Sequence, residues 1–153
     1  MTKRYWLLKT EPETYSIDDL KRDRSTCWDG VRNYQARNFM RDLMQVGDEV
    51  LIYHSNADPP GIAGLAKVSR AGYSDASALD PNDSHFDPKA TKENPIWTMV
   101  DVAFVQKFPR IISLEEIKAR KALEKMLLVQ RGQRLSVQPV EAKHFELILK
   151  MAE

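Results

Sequence analysis

Two strand-like runs, Glu49–Ser55 and Gly61–Arg70, are separated by only five residues, Asn56-Ala57-Asp58-Pro59-Pro60. Parallel neighbours need a crossover of about a dozen residues or more, so this spacing predicts an antiparallel pair. Two other runs have the same character. Tyr5-Trp6-Leu7-Leu8-Lys9-Thr10 has the aromatic and aliphatic content of a buried strand and stops at Glu11-Pro12, where proline holds its predecessor out of the helical region. Trp97–Phe108 is the longest strand candidate. Helix signals lie between and after these runs. Ser16 with Asp19 three residues on reads as a capping box with Asp in place of Glu, and Ser113-Leu114-Glu115-Glu116 reads as a second. Tyr34–Met44 places Ala36, Phe39 and Leu43 on one helical face and is broken by Gly47-Asp48; Val140–Ala152 turns Phe145, Ile148 and Leu149 inward. Strands in runs with helices inserted between them predict an α+β fold with a small twisted or barrel-like sheet, not a doubly wound parallel one.

Composition sets the outer limits. A chain of 153 residues with 42% hydrophobic and 29% charged side chains can fill one core, so residues 1–153 read as a single folded domain and not as a disordered chain. Cys27 stands alone, which excludes an intramolecular disulfide and a cysteine-rich zinc site. No apolar run approaches the ~18 residues of a spanning helix, and Trp6-Leu7-Leu8 is too short for a signal segment, so the expected compartment is the cytoplasm with no membrane partner.

Much enzymatic chemistry is missing. The histidines His54, His85 and His144 are isolated, with no HxxxH or HxE pair, so no zinc-enzyme signature is present and no metal is expected. Gly61-Ile62-Ala63-Gly64 lacks both the lysine of a phosphate loop and the third glycine of a dinucleotide fingerprint, and no cofactor is expected. Cys27 has basic neighbours, Arg22 and Arg24, but no cysteine motif or nearby histidine to activate it.

Charge and aromatic placement are more informative. The formal net charge is only +1, yet residues 1–41 carry nine basic against six acidic side chains and residues 106–134 carry eight against three. A fold that joined these stretches would present a positive face to a phosphate backbone; kept apart, they are solvated helix faces. Trp28 falls in a turn-rich segment with Asp29, Gly30 and Asn33, Trp97 follows a long loop over 72–95 containing Pro81, Pro88 and Pro95, and Ser55-Asn56 ends a strand. Rings beside small amides and hydroxyls are the groups a nucleobase pocket needs, although tryptophans also serve as core. Lys9, ending an apolar strand, should meet an acid, a phosphate or a pocket rim.

Four ordered motifs carry a resemblance: Tyr5–Pro12, Trp28–Arg37, Tyr53–Asn56 and Leu135–Val140. Together they are similar to EVE-domain proteins over essentially the whole chain. The resemblance implies a PUA-like fold, a small curved β-barrel of mostly antiparallel strands with surrounding helices, shared with YTH domains that hold methylated adenine in an aromatic cage. It implies a non-enzymatic reader of modified bases: methylated or hydroxymethylated cytosine in DNA, or methylated adenine, in DNA or RNA. By that similarity Trp28 is the cage tryptophan, Trp97 a second wall, and Asn33, Ser55, Asn56, Ser136, Val137 and Pro139 line or read the base. Lys9, Arg32 and Arg37 then approach phosphates. Two other readings stay open from the residues: a small nucleotide- or nucleic-acid-acting enzyme using Asp101, His54 and Asn56, and a protein-interaction module gripping a partner through 72–95.

Overall fold

The structure, a computed structural model, describes residues 3–153. Six strands form one mixed sheet: β1 (Tyr5–Thr10), β2 (Ser25–Trp28), β3 (Glu49–His54), β4 (Gly61–Ser74), β5 (Thr98–Ser113) and β6 (Val137–Val140), in the spatial order β2-β5-β4-β3-β1-β6. Every pairing is antiparallel except β1 with β3, where Tyr5 to Thr10 run beside Glu49 to His54. The predicted α+β class and the antiparallel β3–β4 pair are both present. The sheet does not close, since β2 and β6 are its two edges, so the expected barrel is an open, curved sheet.

Four helices flank it: α1 (Ile17–Asp23), α2 (Tyr34–Asp42), α3 (Leu114–Lys118) and α4 (Ala142–Met151). The strand period of two sorts side chains between two cores. Trp6, Leu8, Val50 and Ile52 join Ile17 and Leu20 of α1 and Ala36 and Met40 of α2. Leu7, Leu51 and Tyr53 face the other way, onto Ile117 of α3 and Phe145 and Ile148 of α4. Burial on both faces explains why Trp6-Leu7-Leu8 is apolar throughout and does not alternate.

Local signals place the helix ends. At Ser16 the capping box is complete, the Ser16 hydroxyl accepting from Asp19 N and the Asp19 carboxylate accepting from Ser16 N. At Ser113 only half of the predicted box forms, because Glu116 turns instead to Arg110 through two bonds of 2.7 and 2.8 Å. On α2, Leu43 lies beyond the last turn and stays exposed, and Met40 takes the inward place. The closing helix begins at Ala142, since Val140 pairs with Tyr5 as the last residue of β6. β5 runs past the expected end at Phe108 to Ser113; Pro109 is accommodated where the register with β4 shifts, between the pairs Ile62/Ile112 and Gly64/Lys107. Among the described residues, no helix is long and apolar enough to cross a membrane.

Candidate functional site

Curvature brings β1, near one edge of the sheet, toward β2 at the other, and a cavity of about 390 Å³ lies between them. Lys9 and Thr10 at the end of β1 form one side, and Thr26, Cys27 and Trp28 of β2 form the other. Thr14 and Tyr15, from the turn before α1, and His85, from the segment after β4, complete the wall with Asp29. Trp28 is 9% exposed and packs in the same cluster as Leu135 and Val137, so the ring belongs to the core and to the cavity at once. Tyr15 meets it edge-on, at 6.3 Å between centroids and 89° between planes. Thr10 Oγ1 donates to the Tyr15 carbonyl at 2.8 Å, which ties that turn to the strand end.

The lining is neutral to weakly charged. Burial, with the Tyr15 hydroxyl donating to Asp23, pushes the Tyr15 phenol up to about 12, leaving it protonated across the physiological range. Burial and the neighbouring Asp75 carboxylate raise the Asp29 carboxyl above its ordinary value. Burial, then Asp29 and Asp101, raise the Cys27 thiol, which makes it a poor source of thiolate. Lys9 is half-buried, its ammonium 5.7 Å from the Tyr53 ring centroid, and burial lowers its pKa. Donors and acceptors on Thr, Tyr, Asp and His side chains thus surround one indole.

His85 is held by a latch centred on Arg32. The Arg32 guanidinium pairs with the fully buried Asp75 at 3.0 Å and donates to Ser77 Oγ at 3.1 Å and to the His85 carbonyl at 2.7 and 3.0 Å. Asp75 also accepts from Gly30 N, Ser77 N and Ser77 Oγ; burial opposes ionisation, but these bonds prevail and hold its pKa below the ordinary carboxylate value. Gly30 has φ +79°, and a Cβ there would stand 2.8 Å from the His85 ring, so both backbone and space require glycine.

Of the residues singled out from sequence, Trp28 and Lys9 line the cavity. The structure gives most of the others different surroundings. Asn33 caps α2, its Oδ1 accepting from Ala36 N at 3.0 Å. Trp97 packs with Ala78 and Ala90, donates to Asp87 at 2.7 Å and stacks on Tyr34 at 4.9 Å; it does not line the Trp28 cavity. Arg32 is committed to the latch, and Arg37 donates to the Ile96 carbonyl and to Asn38. Ser55 N donates to the Thr10 carbonyl and Lys9 N to the Ser136 carbonyl, so Ser55 and Ser136 brace the rim through backbone. Asn56 donates to Glu11, Val137 lies in the core, and Pro139 pairs with Trp6 farther along β1. Thr26, Tyr15 and His85 also line the Trp28 cavity and carry no sequence signal of their own. Thr26 and Trp28 alternate on one face of a strand of four residues, which is too short for a period-two signal to stand out.

The class the architecture defines is an open α+β sheet whose strand ends embrace an aromatic-walled cavity, and among the described residues no cluster of metal-ligating side chains is present. The EVE domain family model matches residues 4–151, and the chain belongs to that family. It is 45% identical to human thymocyte nuclear protein 1 over 97% of this chain and 74% of that protein. Among solved structures, a hypothetical protein from Leishmania major is 54% identical with TM-score 0.93, covering 99% of this chain and 95% of the other. The human THYN1 protein in complex with 5-methylcytosine-containing DNA is 43% identical with TM-score 0.93, covering 99% of this chain and 98% of the other. A Zymomonas mobilis ASCH protein, 9% identical with TM-score 0.54 over 97% of this chain and 99% of the other, shares the fold alone.

Proposed function

We propose that this chain is a non-enzymatic reader of modified cytosine in DNA, taking the base into the cavity beside Trp28. The observation that carries the reading is its close structural match, at 43% identity, to the human THYN1 protein held in complex with 5-methylcytosine-containing DNA. The chemistry of the cavity agrees. Its 390 Å³ falls within the usual range for small-ligand pockets, and a base reaches such a site only by leaving the stack. The Trp28 ring offers the stacking face, worth about 1–3 kcal/mol, and Tyr15 closes the edge of the aromatic cage. Asp29 supplies an acceptor for an exocyclic amino group, the pairing through which carboxylates read cytosine. The curved sheet with helices on both faces is the frame we read as PUA-like.

Binding without turnover is supported by what the enzyme reading would need. His54 Nε2 accepts from Ile17 N, Asn56 is bonded to Glu11, and Asp101 accepts from Tyr73; none of the three lines the Trp28 cavity. A methyl group contributes about 1–3 kcal/mol of apolar contact, so discrimination between methylated and plain cytosine is about 10- to 200-fold.

The test is a tryptophan-fluorescence titration with oligonucleotides carrying cytosine, 5-methylcytosine, 5-hydroxymethylcytosine or N6-methyladenine, as DNA and as RNA. Because Trp28 is part of the core, Trp28→Phe accompanies Trp28→Ala, and Asp29→Asn keeps the shape while weakening the acceptor. Selective quenching by modified cytosine in DNA, weakened in Trp28→Phe and Asp29→Asn, is expected. Preference for methyladenine or for RNA would replace the ligand, and no discrimination by a folded protein would overturn the reading.

A further inference from the structure

We infer that a second hollow, opening beside the Trp28 cavity, is the track for the DNA backbone, with Lys9, Lys118 and Arg131 as its phosphate contacts. This rests on the DNA reading above. The hollow measures about 410 Å³ and is walled by Tyr53 of β3, Leu114 and Lys118 of α3, and the turn that carries Gln130, Arg131 and Gln133. Lys9 lines both cavities, so the two sites meet at one lysine. No carboxylate lines this hollow.

A census of cations favours the same place. With a net charge of only +1, the chain cannot hold a polyanion by bulk attraction, so the contacts must be local. Seven of the 23 Lys and Arg side chains are held in ion pairs, among them Arg22 by Asp19 and Asp23, Arg32 by Asp75, Arg41 by Asp42, Lys107 by Asp18 and Arg110 by Glu116, so the choice falls among the rest by where they gather. Among the described residues Lys9, Lys118 and Arg131 have no ion pair and share one hollow. Arg131 belongs to the basic stretch 106–134 and Lys9 to the basic stretch 1–41, so the fold does join the two, at this hollow. Beyond Lys118 the surface turns acidic: the next hollow is lined by Asp58 and Glu115 as well as Lys118, which sets an end to the track. The backbone of nucleotides flanking the extruded base therefore leaves the Trp28 cavity over Lys9 and passes between α3 and the 130–133 turn.

The experiment measures the affinity of the full chain for a duplex oligonucleotide with one central 5-methylcytosine, and for its unmodified twin, across a salt series. The variants are Lys118→Gln/Arg131→Gln and, as a control at a neutralised cation, Arg41→Gln. Each lost phosphate contact flattens the plot of log affinity against log salt by about 0.9, so the double variant should lose about 1.8 from the slope. Its preference for the methylated oligonucleotide should be unchanged, and Arg41→Gln should match the wild type. An unaltered slope in the double variant overturns the track while wild-type discrimination leaves the base reading standing. Lost discrimination at an unaltered slope overturns it too, since these side chains would then act on the base. A wild type that binds neither oligonucleotide sinks the base reading and the track together.

Discussion

Replacing Arg32 by alanine should cost the fold about 3 kcal/mol, although phosphate binding would have been the simpler expectation for this arginine. The structure supplies the magnitude. The guanidinium makes five hydrogen bonds, to Val31 O, Asp75 Oδ2, Ser77 Oγ and twice to His85 O, with only 22% of the side chain exposed. Its partner Asp75 is fully buried, and removing one member of a buried charge pair typically costs about 3–5 kcal/mol. Asp75 would keep its bonds from Gly30 N, Ser77 N and Ser77 Oγ, which places the loss at the lower end of that range. For a chain of this size the melting temperature should fall by roughly 6–12 °C, and the urea midpoint by about 1.5 M for a slope of about 2 kcal/mol/M. Urea unfolding at neutral pH followed by tryptophan fluorescence is the assay. Arg32→Lys should recover little, because a single ammonium cannot span Asp75 and the His85 carbonyl. A loss below about 1 kcal/mol in Arg32→Ala, with weakened DNA binding in the folded variant, would refute the latch and return Arg32 to the phosphate role.

Two other perturbations test the frame of the site. Gly30→Ala should push the His85 ring out of the cavity wall and lower stability by about 1–2 kcal/mol, from a positive φ and a 2.8 Å contact together; a shifted His85 resonance with weakened base binding checks it, and an unchanged spectrum contradicts it. Burial holds the His54 imidazole below its ordinary pKa of 6.5, while its neutral Nε2 accepts from Ile17 N at 3.1 Å. The unfolded chain therefore takes up the proton first: this contribution to stability is complete above pH 6.5 and is lost as pH falls through the lower folded value. Urea titrations between pH 7.5 and 5 should show that decline in the wild type and a shallower one in His54→Gln.

The local signals were legible because they depend on neighbours in the chain. Ser16 and Asp19 cap α1 from three residues apart, and the six-residue break between β3 and β4 left an antiparallel pair as the simple solution. The order of strands and inserted helices also led to the α+β class, whereas the barrel that the family motifs imply is an open sheet with β2 and β6 as its edges. Of the candidate cavity's lining, the residues singled out from sequence supply Trp28 and Lys9. A tryptophan after a proline-rich loop looks the same in sequence whether it walls a ligand or fills a core; the Ala78 and Ala90 methyls, the Tyr34 ring and the Asp87 carboxylate give Trp97 the second role. Asn33 likewise reads as an edge-reading amide or as a helix cap, and the backbone at Ala36 takes its oxygen.

What the sequence determined by itself was therefore the inventory of strands and caps, the continuous apolar runs that pack on two faces, and the presence of a tryptophan and a lysine at strand ends. Tertiary structure decided which groups stand together. Bending of the sheet carries Thr10, Tyr15, Trp28 and His85 to one cavity, from positions as far apart as 10 and 85. It also decided which cations are held in an ion pair, as Arg32 is, and which, like Lys118 and Arg131, are not. Charge pairing falls off with distance in space and not along the chain, so no count of basic residues in a segment could separate the two.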